Sequence, residues 1–246
     1  MKARFAALAL SMIALAAVPV FASGVSLSFG FGGSDTSLGT SQSYTSNGAT
    51  ITAYGYVCSA ASPSSTATLS NCNPTALFAK GDGINETGLG LAGQGNGENE
   101  IGWDGPSADY VMGLDVSSLF KLGATSMTLS FGSVQPGEAY AILGYASDPF
   151  LSSSFALTNT KAWVGNNSST SAQVFSSTID LNANDQFLVL ISPCGASSNP
   201  SGPCGSNVVL DSLTATTPEP GTLVLFGTGL LALGFGLRRR WAGQSA

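Results

Sequence analysis

The chain has 246 residues, 9% of them charged and 43% hydrophobic, with 31 glycines and no histidine. That length suits one ordinary domain plus targeting segments, and the missing imidazoles exclude Ser-His-Asp and Cys-His nucleophiles and the commonest zinc ligand sets. Of the eight basic residues only Lys80, Lys121 and Lys161 lie between the two ends, so the middle is strongly acidic and lacks the clustered cations that nucleic acid requires.

At the N-terminus Lys2 and Arg4 precede an uncharged apolar run over 5–18 and then Pro19. Small residues follow at cleavage spacing, which predicts a signal peptide over 1–22, cut after Ala22. The exported domain is then 23–216. Strand signals recur along it at 25–31, 49–57, 110–116, 126–134, 139–146, 174–181, 187–192 and 207–215, with Met127, Leu129 and Phe131 alternating with Thr128 and Ser130. With about eight to ten strands and no amphipathic helix, the expected fold is all-β, a β-sandwich or jelly roll.

Four cysteines fall in two local pairs, each flanking a polar turn-rich segment. In an oxidising compartment the expected bridges are Cys58 with Cys72 and Cys194 with Cys204, although four cysteines allow three connectivities. Neither pair has the CxxC spacing of a redox or thiolate-metal site.

The stretch 80–101 (KGDGINETGLGLAGQGNGENEI) concentrates oxygen donors among glycines. Asp82, Glu86, Asn96, Glu98 and Glu100 are the candidate ligands for a hard cation, Ca2+. The spacing is not that of an EF-hand, and a solvated loop without an ion is the alternative. Glu98, Glu100, Asp104 and Asp109 are also the carboxylates from which a glycoside hydrolase would be built, but sequence supplies no separation between them. The chain is therefore expected not to be an enzyme. Trp103, Tyr110, Tyr140, Tyr145 and Trp163 are either core or sugar-stacking aromatics. The glycine run lacks the Gly-Lys-Ser/Thr ending of a phosphate loop.

The C-terminal segment 217–241 has three parts: Pro218-Glu219-Pro220, an apolar run over 222–237, and Arg238-Arg239-Arg240 followed by Trp241. The uncharged stretch 220–237 would span about 27 Å as a helix, close to the thickness of a bilayer's hydrocarbon core. The arginines would hold the far end in the cytoplasm and leave the body outside.

This order of parts resembles the PEP-CTERM sorting signal of Gram-negative bacteria. The resemblance implies an exosortase that recognises Pro218, Glu219 and Pro220, transient membrane anchoring through the helix, and transfer toward the cell surface and its exopolysaccharide. GLGL followed by NEI is similar to a pattern in the passenger domains of such proteins, where it joins strands of a sandwich. The resulting expectation is a structural or adhesive surface or matrix protein. A calcium-assisted carbohydrate-binding module is the alternative.

Overall fold

The computed structural model describes residues 24–60, 68–81, 85–94, 97–103, 108–165, 171–192 and 207–217, with Gly227, Gly229, Leu230 and Leu233. The chain divides into two units, Met1–Val25 with Pro218–Ala246, and Ser26–Thr217. In the first unit the four described residues near the C-terminus are helical. The predicted signal peptide, Pro218 to Pro220, Arg238 to Arg240 and most of the predicted span 222–237 lie outside the described residues. Among the described residues no helix is long and apolar enough to cross a membrane.

The second unit is built of short strands. In chain order they are β1 (Val25–Gly30), β2 (Thr36–Gly39), β3 (Ser41–Ser46), β4 (Ala49–Ala60), β5 (Thr68–Pro74), β6 (Leu77–Lys80), β7 (Gly88–Leu91) and β8 (Ile101–Trp103). There follow β9 (Asp109–Asp115), β10 (Ser126–Val134), β11 (Ala139–Tyr145), β12 (Ser154–Ala156), β13 (Thr160–Gly165), β14 (Gln173–Asp180), β15 (Phe187–Ile191) and β16 (Asn207–Thr217). One short helix, α1 (Ser117–Lys121), and a 3-10 turn (Pro149–Leu151) interrupt them. The sequence predicts fewer strands, in part because β2, β6, β7, β8 and β12 have only three or four residues each, too few to display a period.

The strands form two antiparallel sheets. In sheet A, β14 pairs with β10 and β10 with β16, while β7, β6 and β2 follow in order and β1 also lies against β16. In sheet B, β4 carries β3 and β5 on one edge and β9 on the other; β15, β11 and β13 continue the sheet, and β12 extends it beyond β5. The sheets meet in β16, whose Asn207 and Val208 pair with β8 of sheet B before the strand crosses to β10.

The two sheets pack face to face as a β-sandwich. Phe131 of β10 stacks on Tyr140 of β11 with ring centroids 4.0 Å apart, and the Tyr140 hydroxyl lies 2.8 Å from that of Ser177 on β14. Leu27, Leu89, Met127, Leu129 and Leu213 of sheet A and Ile51, Met112, Leu114, Ile142 and Leu190 of sheet B fill the interior. Each such fully buried side chain contributes about 2 kcal/mol of hydrophobic stabilisation.

Sheet B is also covered on its other face, which explains why β15 and the centre of β9 read as unbroken apolar runs rather than alternating ones. Cys58, Leu69, Val111, Ala141, Leu143, Leu157, Phe187, Val189 and Ile191 form this second cluster. The Cys58–Cys72 disulfide joins β4 to β5 at its margin. Cys194 and Cys204 lie outside the described residues.

Candidate functional site

The glycine-rich stretch expected to be a loop contains a strand and a buried ion pair. Gly90 of β7 has no room for a side chain, since a Cβ there would sit 2.0 Å from the Asn99 carbonyl oxygen and 2.8 Å from the Glu100 Cα. The bare glycine lets the Asn99–Glu100 backbone cross directly over β7. Gln94 then clamps that backbone: its Oε1 accepts from the Glu100 N–H at 3.1 Å and its Nε2 donates to the Glu100 carbonyl at 2.9 Å.

So held, Glu100 is 1% exposed and its carboxylate pairs with the Lys80 ammonium at the end of β6. Burial works against the charge of Lys80, but the hydrogen bond and charge of Glu100 more than offset it and keep the lysine protonated. Burial pushes the Glu100 carboxyl up, against the pull of Lys80 and the neighbouring Ser133 hydroxyl. Beyond the pair, Glu138 accepts from the backbone N–H groups of Asn207 at 3.1 Å and Gln135 at 2.6 Å. Burial raises Glu138 to about 7, with the charges of Glu100 and Glu98 adding to it and the two hydrogen bonds opposing.

Of the proposed calcium ligands, Glu100 is therefore engaged by Lys80, Glu98 is exposed and Glu86 is half-buried. Asp82 and Asn96 lie outside the described residues. Among the described residues no three His, Cys, Asp or Glu side chains are grouped to hold a metal ion.

The carboxylates considered for sugar cleavage are dispersed. Asp109 is paired across strands with Cys58 and belongs to the outer face of sheet B, whereas Glu100 lies over β7 of sheet A and pairs with Lys80. Asp104 lies outside the described residues. Asp109 is 1% exposed, and among the described residues neither of its oxygens has a hydrogen-bond partner. Burial alone pushes its carboxyl up to about 7. Tyr110 and Tyr140 are buried core residues, while Trp103, Tyr145 and Trp163 are half-buried.

Sequence reasoning missed the pattern on the outer face of sheet A. Thr128 and Ser130 of β10 are flanked in register by Thr178 and Ser176 of β14 and by Thr214 and Ser212 of β16. The hydroxyls of Thr128 and Thr178 lie 2.7 Å apart and those of Ser130 and Ser176 2.8 Å apart. β1 adds exposed Ser26 and Ser28 beside β16. A second hydroxyl ladder joins β3 to β4, with Ser43 and Thr52 at 2.9 Å and Thr45 and Thr50 at 3.1 Å. Ser-x-Thr alternation was visible in the sequence as strand polarity, but the lateral alignment depends on register.

These features define a cation-poor, hydroxyl-faced β-sandwich with a disulfide between neighbouring strands, followed by a separate C-terminal segment. Residues 216–240 match the PEP-CTERM protein-sorting motif, and the chain is a PEP-CTERM domain-containing protein. The motif marks an exported protein sorted to the cell surface and implies processing by an exosortase. No curated protein matches the sequence significantly.

Similar solved structures include two cleaved adhesin domains of Lys-gingipain. One, from Porphyromonas gingivalis, is 12% identical with a TM-score of 0.31, covering 80% of this chain and 99% of that one. The other is 13% identical with a TM-score of 0.29, covering 78% and 100%. A third is the C-terminal CBM6 domain of LamC, a marine laminarinase from Zobellia galactanivorans, 10% identical with a TM-score of 0.25, covering 78% and 100%.

Proposed function

We propose that the protein is a non-catalytic component of the cell surface or extracellular matrix, delivered by its sorting tail and held there by hydrogen bonding to exopolysaccharide. The observation that carries this reading is the hydroxyl face of sheet A. Three adjacent strands present rows of Ser and Thr in register, with no lysine or arginine among them. Such a face offers donors and acceptors to a hydroxylated polymer without fixed positive charge. The carboxylates considered for catalysis face different surroundings, which favours a binding role over a hydrolytic one. Calcium is not required on this reading, because Lys80 already neutralises Glu100.

Fractionation of a strain with and without its exosortase tests the proposal. With the enzyme, the mature chain is expected in the surface or matrix fraction, lacking Arg238 to Arg240 by mass spectrometry and released by polysaccharide-degrading treatment. A chain that keeps those arginines there, or stays in place after the polysaccharide is removed, would refute it.

A further inference from the structure

The outer face of sheet B carries a layer of buried and half-buried aromatic rings around one bare position. Gly113 at the centre of β9 is paired with Tyr54 on one side and Val189 on the other. A Cβ on Gly113 would come within 2.7 Å of Phe187 Cζ and 3.2 Å of Phe150 Cε2. The missing side chain is thus what lets both rings lie down on the sheet. Phe150 stacks on Tyr56 at 3.8 Å with planes 11° apart, and Tyr54 lies along Phe187 at 6.1 Å.

The rim of this layer is polar and of one sign. Asp115 pairs across strands with Thr52, next to Tyr54, and Asp148 stands close enough to both tyrosines for its charge to act on them. The charge of Asp115 also acts on Asp148. Lys161 of β13 is held 2.8 Å from buried Asp185. Leu151, beside Phe150 on the 3-10 turn, is 86% exposed.

Flat ring faces and an exposed leucine match the apolar C–H face of a pyranose, and carboxylates accept hydrogen bonds from its hydroxyls. Two carboxylates repel uronates, sulfates and phosphates. We propose that Tyr54, Phe150 and Leu151, with Asp115 and Asp148, form a binding site for the neutral hexopyranose units of a polysaccharide. This inference rests on the proposed association with exopolysaccharide and assigns it a place and a sugar class.

The test is retardation of the purified exported protein in native gels containing either a neutral glucan or alginate, each with and without EDTA. Retardation is expected in the glucan alone, unaffected by EDTA. Tyr54→Ala, Asp115→Asn and Leu151→Ala are each expected to weaken it about tenfold. The Asp115 oxygen that accepts from the Ser117 N–H at 2.9 Å is retained in asparagine, and Leu151 is exposed, so these two variants stay folded by circular dichroism. If folded variants are retarded as strongly as the unsubstituted protein, the site is wrong while the polysaccharide association stands. Preference for alginate overturns the sugar class, and no retardation in either polymer overturns the site and the association together.

Discussion

Asp109 gives a prediction whose size follows from its surroundings. Its carboxyl is buried, unpartnered among the described residues, and raised from an ordinary 3.8 to about 7. A group with a raised folded-state value favours the fold when protonated: its contribution is complete below pH 3.8, declines as the pH climbs, and is gone once the pH has passed about 7. A gap of about three pH units at 1.36 kcal/mol each sets the loss at about 4 kcal/mol as a ceiling. Asp109→Asn has nearly the same shape and cannot ionise. Urea denaturation at pH 4, 6 and 8 should therefore show little difference between variant and parent at pH 4, a widening advantage for the variant at pH 6, and a gain of up to about 4 kcal/mol at pH 8. Glu138 is also raised to about 7, but it is present in both proteins and cancels from the comparison. A difference that stays constant from pH 4 to 8 would show that Asp109 does not titrate as a buried acid, and the reasoning would fail.

Glu100→Gln leaves the buried Lys80 ammonium without its paired carboxylate and should cost about 3 kcal/mol, read as a lower urea midpoint with an unchanged slope. Adding EDTA to the parent protein should leave that midpoint where it is. Replacing Cys58 and Cys72 together by serine removes a bridge spanning 14 residues and should cost about 3 kcal/mol. Equal melting temperatures with and without the bridge would place its value outside folding stability.

Much of the sandwich was legible because its signals are local. Alternation in Met127, Leu129 and Phe131 marked β10, and β4, β9, β11, β14, β15 and β16 also coincided with apolar runs. The Asn47–Gly48 turn between β3 and β4, with both residues at positive φ, is a hairpin signal of the same local kind. The candidate site was less legible. Lys80 and Glu100 are 20 residues apart, and only the passage of Asn99 and Glu100 over Gly90 turns that glutamate from a solvent-facing ligand into half of an internal pair.

From the sequence alone came the C-terminal sorting motif, the all-β class, the exclusion of histidine chemistry and the pairing of Cys58 with Cys72, since each depends on composition or on residues close along the chain. The tertiary structure decided which acids are buried, which hydroxyls align, and that Gly113 holds open a bed for aromatic rings. Those outcomes depend on strand register, and moving a strand by one residue sends every side chain to the opposite face.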